Sequence, residues 1–195
     1  MPRLDQRLGF TRYEADEAYK RALDAFKKRD MDAAIDGMNA AIEALPNNSE
    51  YYAARGFMYY EDGEHKKAHA DFDESLKRYR YEMLAHYGLG MLAYREATQK
   101  DEPAAWDVAL QHFLTAHRAD PARAETLYYL ALVYYHKRDY PNAVTYMLRA
   151  QEAFDAAGDR RSKSHADKWV KEFTRMVNKT RELLTAIQSP LELSA

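Results

Sequence analysis

Tyr51-Tyr52-Ala53-Ala54-Arg55-Gly56-Phe57-Met58-Tyr59-Tyr60 places small and large residues on one helical stripe. The next four residues, Glu61-Asp62-Gly63-Glu64, stop that helix, with Gly63 at a favourable C-terminal position. A return helix then runs from His65 to Tyr79, with Ala68, Phe72, Ser75 and Leu76 on one face at i, i+4, i+7 and i+8. Small residues such as Gly56 and Ala68 let the paired helices approach, and the large ones fill the space on either side. The stretch therefore reads as a helical hairpin.

The hairpin recurs. Ala34 and Ala68 are 34 residues apart, and so are Ala109 and Ala143. Between Ala68 and Ala109 the spacing is 41, the same period plus seven. A second small-residue series, Ala41, Ser75, Ala116 and Ala150, follows seven residues later in the same register. A fixed period of this size marks a stack of repeats, which presents concave surfaces rather than enclosed catalytic pockets.

In its residue pattern the chain resembles the tetratricopeptide repeat family over about residues 15–157. The second unit supplies Tyr52, Arg55-Gly56, Tyr59, Ala68, Phe72 and Ser75. The third supplies His86, Leu89-Gly90, Ala93, Ala109, Phe113, Ala116 and Pro121, and the fourth Leu127, Leu130-Ala131, Tyr134, Ala143, Met147 and Ala150. In the first, Ala18, Arg21-Ala22 and Ala25 precede a better second helix with Ala34, Met38, Ala41 and Pro46. Departures from the pattern are Arg80 and Asp155 in place of the terminal proline, and Arg21 and Arg55 in place of leucine. The resemblance implies an all-α, right-handed superhelical solenoid of helix-turn-helix repeats. The units would span 15–48, 49–82, 83–123 and 124–157, with 158–195 as a long C-terminal capping helix and tail.

Three segments lie outside the regular pattern. Residues 1–14 read either as an arm carrying Leu4, Leu8 and Phe10 or as a helix extension. The insertion in the third unit, Arg95 to Pro103, is close to two helical turns. It reads as added length on both helices of that hairpin, with Asp101 as cap and Pro103 in the first turn; a loop is the alternative. From Asp159 to Gln188 one helix carries Trp169, Phe173, Met176, Val177, Leu184 and Ile187 along a stripe, and Pro190 is expected to end it. Its near part would cap the last repeat, and its far part overhang, with a second copy as one possible packing surface.

Composition sets limits. The chain has 195 residues, 47% hydrophobic and 31% charged, so a folded, soluble protein is expected. A net charge of −2 gives little long-range attraction for nucleic acid. Segment 159–195 holds eight Lys/Arg against five acids, a pattern typical of a polar helix face, and nucleic acid is not expected as a partner. There is no cysteine, hence no disulfide or thiolate chemistry. No stretch reaches the roughly 18 apolar residues of a membrane span. The opening residues lack an apolar run of signal-peptide length, so a cytoplasmic location is expected.

No catalytic, metal or cofactor motif is present. The sequence has no phosphate loop, nucleophile elbow or His-Glu zinc helix. His65 and His69 are spaced i, i+4, but no further ligands complete a metal site. His112 and His117 do not share a helical face, and Asp71, Asp73 and Glu74 read as one solvated face.

By the resemblance, the first helix of each unit lines the concave face. The candidate peptide-binding residues are Tyr19 and Phe26 from the first unit, and Phe57 and Tyr60 from the second. The third offers Tyr87, Met91 and Tyr94, and the fourth Tyr128, Tyr129 and Tyr135. Sixteen tyrosines in the chain favour an aromatic binding face, since tyrosine joins a large contact area to a hydroxyl. One branch of the family holds chaperone C-terminal tails with a lysine, arginine and asparagine clamp. Here the equivalent positions carry Leu23, Ala54, Leu84 and Gly88, and only Lys20 and Arg95 are basic, so no clamp is expected. The function implied is a non-enzymatic adaptor that holds a peptide or partner helix. A self-associating scaffold built through the C-terminal helix is the alternative, and a nucleic-acid-associated accessory protein the distant one.

Overall fold

A computed structural model describes the backbone of residues 4–100 and 103–192, and the side chains of 11–100 and 103–185. Among the described residues there are nine helices and no strand. Four antiparallel pairs follow in order: α1 (Leu4–Lys27) with α2 (Met31–Ala44), α3 (Ser49–Glu61) with α4 (His65–Arg78), α5 (Met83–Lys100) with α6 (Pro103–Ala119), and α7 (Ala124–His136) with α8 (Tyr140–Ala156). The last helix, α9 (Arg160–Glu192), packs against α8. The pairs stack into a right-handed solenoid.

The periodic alanines are the hairpin contacts: Ala34, Ala68, Ala109 and Ala143 are all fully buried. Four turns share one design. In each, a residue with positive φ follows the helix: Arg29 (65°), Gly63 (84°), Arg138 (62°) and Gly158 (73°). The next amide then reaches back five residues, as in Glu64 N–H to the Tyr59 carbonyl at 2.9 Å and Asp139 N–H to the Tyr134 carbonyl at 2.9 Å. Side chains of Asp30, Asn48 and Asp139 accept from first-turn amides of the helices that follow them.

Close packing between hairpins is concentrated on Phe72, which is fully buried. A Cβ added to Gly56 would lie 2.8 Å from its ring, and one added to Gly88 only 2.1 Å away. Phe72 thus occupies space vacated by glycines on two successive hairpins. Gly88, expected as a groove position, faces this ring instead of the concave surface. Phe113 seats against Gly90 in a similar way, at 2.8 Å from an added Cβ.

The insertion lengthens α5, which has 18 residues against 13 in α3 and α7, whereas α6, at 17, exceeds α4 (14) but only equals α8 (17). Pro103 stands at the start of α6, while the expected cap at Asp101 lies outside the described residues. At the chain start α1 begins at Leu4; residues 1–3 and the side chains of Leu4, Leu8 and Phe10 lie outside the described residues.

α9 differs from expectation at its end. It continues through Pro190 to Glu192. Proline fixes φ near the helical value, so the backbone can keep a helical path through it. Ala166 and Phe173 are fully buried, whereas Leu183 and Leu184 are each 56% exposed. The apolar stripe therefore outlasts the surface it covers; Ile187 lies outside the described side chains. No helix among the described residues is long and apolar enough to cross a membrane.

The reading of Asp71, Asp73 and Glu74 as one solvated face is corrected. Asp71 is buried and takes a two-pronged contact from Arg55, while Glu74 is half-buried beneath Arg78. Arg55 occupies a position where the repeat pattern carries leucine, and the carboxylate one helix away provides for its charge.

Candidate functional site

The odd-numbered helices α3, α5 and α7 stack side by side, and their inner residues meet in a recess of about 340 Å³. Phe57 and Glu61 come from α3, Tyr87 and Met91 from α5, and Glu125, Tyr128 and Tyr129 from α7. Phe154 closes the floor from α8, and Asp159, Ser162 and His165 form a wall at the start of α9. Five of the ten candidate residues (Phe57, Tyr87, Met91, Tyr128 and Tyr129) thus line one recess.

The other five stand around it. Tyr94 meets Tyr129 edge-on at 5.4 Å and Trp106 edge-on at 5.4 Å. Tyr60 stacks on Phe57 at 6.4 Å, and Phe26 reaches Phe57 edge-on at 6.1 Å, carrying the aromatic surface back to the first hairpin. Tyr19 lies further out, on Tyr51, and donates to the Glu50 carboxylate at 2.8 Å. Tyr135 is committed elsewhere: Phe173 of α9 stacks on it at 4.8 Å and Trp169 tilts over it at 5.8 Å.

Burial is uneven. Tyr87 is 4% exposed and Met91 8%, so much of each side chain belongs to the packing between hairpins. Tyr87 sits against Phe113 at 5.9 Å and Tyr129 at 6.0 Å. Phe57, Tyr60, Tyr94, Tyr128 and Tyr129 are half-buried. Burial raises the phenol pKa of Tyr94 and of Tyr129 to about 12 and pushes that of Tyr87 well up. These hydroxyls stay protonated and neutral at physiological pH. The Tyr128 hydroxyl accepts from the Trp169 indole N–H at 3.0 Å, which ties the groove to α9. Among the described residues the hydroxyls of Tyr60, Tyr87, Tyr94 and Tyr129 have no hydrogen-bond partner.

The α9 wall was not legible from the groove pattern. Its signal is positional: a helix that follows α8 presents its first turn where the next hairpin would begin. Trp106 was also missed; it lies on the extended part of α6 and stacks on His136 at 4.2 Å.

A second, more open recess of about 730 Å³ lies between α4, α5 and α6. His65, His69 and His112 border it, and His112 Nδ1 lies 3.0 Å from His86 Nδ1. Burial and the neighbouring imidazoles lower the His112 pKa to about 4. His69 contacts Asp73 at 3.1 Å. Among the described residues no group of three or more His, Asp or Glu is arranged to hold a metal ion.

No curated protein sequence matches the chain. Solved structures do share its fold. A Pseudomonas aeruginosa PilF structure is 17% identical and covers 91% of this chain and 74% of its own, with a TM-score of 0.69. MamA (41-end) from Desulfovibrio magneticus RS-1 is 17% identical, with coverages of 83% and 96% and a TM-score of 0.57. The first tetratricopeptide domain of Spaghetti (RPAP3), solved with the HSP90 peptide SRMEEVD, is 20% identical, with coverages of 65% and 98% and a TM-score of 0.56. The sequence model of the tetratricopeptide repeat matches residues 19–82 and 105–158, more than half of the sequence. On that match, and on the stacked hairpins with their buried alanines, the chain belongs to the tetratricopeptide repeat family.

Proposed function

We propose that this chain is a non-catalytic adaptor of the cytoplasm that holds an extended peptide or a partner helix in its concave groove. Four repeats (15–48, 49–82, 83–123 and 124–157) form the binding body, and segment 158–195 closes its last face. One observation carries the reading. Side chains from three successive odd-numbered helices converge on a single recess, bordered by the Tyr87 and Tyr129 hydroxyls, which have no hydrogen-bond partner among the described residues. Such a surface offers apolar contact together with hydrogen bonds for a peptide backbone. The fold relative Spaghetti, solved with a bound peptide, supports it.

The test is a peptide-display selection on the immobilised chain, repeated with Phe57→Ala/Tyr128→Ala. Both rings are half-buried, so the variant is expected to keep its helicity. Truncating central aromatics of an interface costs about 2 kcal/mol or more each, and the selected peptides should lose binding. Undiminished binding by this variant defeats the groove reading.

A second reading has its own observation. Leu183 and Leu184 are each 56% exposed on the part of α9 beyond Phe173, and a scaffold built through this helix would cover them. Light scattering over a concentration series tests it: self-association that Leu183→Gln/Leu184→Gln abolishes is the expected result.

A further inference from the structure

The recess has a charge bias that an aromatic groove alone would lack. Its charged lining is Glu61, Glu125 and Asp159, with no lysine or arginine. Arg123, just outside, faces Glu125 at 3.5 Å and lies over the Tyr87 ring at 4.8 Å, so one of the three charges is matched within the protein. Glu61 makes no ion pair or hydrogen bond among the described residues. Asp159 accepts from the Ser162 amide at 3.0 Å, and the Ser162 hydroxyl, the Arg161 amide and the Arg161 charge also favour its ionised form. These contacts, the Ser162 amide foremost, lower its pKa.

The rings complement this charge. Tyr87 meets Tyr129 at 70°, and Tyr128 meets Tyr129 at 88°, so the aromatic walls stand steeply to one another. Ring faces carry negative quadrupole density, and rings set at steep angles around a space attract a cation. A separate observation concerns Tyr87. This side chain is 4% exposed, borders the recess, and its hydroxyl has no partner among the described residues. That hydroxyl is open to the recess and can accept a hydrogen bond from an occupant's N–H donor. An anionic occupant would meet the carboxylates Glu61 and Asp159.

Resting on the groove as a peptide site, we propose that this recess takes the side-chain cation of a partner protein segment, a lysine ammonium or arginine guanidinium. Glu61 and Asp159 supply the counter-charge, Tyr129 and Tyr128 the aromatic walls, and the cation's apolar stem runs against Phe57 and Met91. The specificity is opposite in sign to capture of a terminal carboxylate.

Three fluorescein-labelled peptides test it. They share one leucine framework and carry lysine, glutamine or glutamate at the remaining positions. Each is titrated with the full chain by fluorescence anisotropy. The lysine peptide should bind about tenfold or more tighter than the glutamine peptide, and the glutamate peptide weakest. In Glu61→Gln/Asp159→Asn the ratio of lysine-peptide to glutamine-peptide affinity should fall to about one. Asparagine at 159 retains helix capping, so helicity by circular dichroism should hold. Asp32→Asn/Asp36→Asn, an exposed pair on α2, should leave the preference intact and so exclude general attraction to an acidic surface. A lysine preference that survives Glu61→Gln/Asp159→Asn overturns the proposal, as does equal binding of the lysine and glutamine peptides. If instead Phe57→Ala/Tyr128→Ala changes the binding of none of the peptides, the groove reading itself fails.

Discussion

The Arg55 guanidinium spans the Asp71 carboxylate in a fork, Nε to one oxygen and Nη2 to the other, both at 2.7 Å. Its remaining arm donates to Asn39 of α2 at 2.7 Å, so one side chain ties the first hairpin to both helices of the second. The two side chains are 19% and 10% exposed. Removing one member of a nearly buried pair leaves an uncompensated charge. Asp71→Ala should cost about 3 kcal/mol, at the lower end of such losses because Arg55 keeps some access to water. Arg55→Leu/Asp71→Leu should cost less than Asp71→Ala alone. Urea unfolding midpoints at constant slope measure both, and a double variant less stable than the single one would refute the account.

Gly88→Ala should destabilise the protein although alanine is the better helix former. The added methyl would lie 2.1 Å from a carbon of the fully buried Phe72 ring. Overpacking of this kind costs roughly 1–3 kcal/mol beyond the ~1 kcal/mol that alanine contributes through helix propensity. Phe72→Leu introduced into Gly88→Ala should recover part of the loss, as read by thermal melts.

The two turn arginines predict a gain. Arg138 has φ of 62°, a conformation that costs a side-chain-bearing residue about 1–2 kcal/mol. Arg138→Gly should raise stability by roughly 0.5–1 kcal/mol, since glycine also loses more chain entropy on folding. Gly63→Ala, at φ 84° with open space around it, should lower stability by about 1 kcal/mol. Melting temperatures moving together in one direction would contradict this.

His112 predicts acid sensitivity. Its folded pKa of about 4 lies below the ordinary histidine value near 6.5, so the unfolded chain binds more protons between those limits. This contribution to stability is fully present above pH 6.5 and is lost as pH falls toward 4. His86 and His69 reinforce the effect, and Asp73 opposes it. Melting curves from pH 7.5 to 4.5 should show a steeper decline for wild type than for His112→Leu.

Elements set by short-range pattern were readable in the sequence. The alanine series fixed the hairpin contacts, because only a small residue survives at a closely crossed helix pair. The aromatic inner face followed from the same register, which is why Phe57, Tyr87 and Tyr128 could be grouped before any geometry was known. Pairings across helices were not readable. Asp71 beside Asp73 and Glu74 has the composition of a solvated face, and its partner Arg55 lies 16 positions earlier on another helix. His86 and His112 are 26 apart, and no helical periodicity joins them. The contribution of α9 to the recess depends on where the turn at Gly158 aims the chain, which the apolar stripe alone leaves open.

Phe72 has a consequence for how the solenoid melts. In an array of repeats each unit and each boundary has its own free energy, and weak boundaries let units open one at a time. Here a single ring fills the clefts of both Gly56 and Gly88, so opening either hairpin abandons the same buried surface. The second and third hairpins should therefore unfold as one cooperative block, with matching amide exchange rates in α3 and α5.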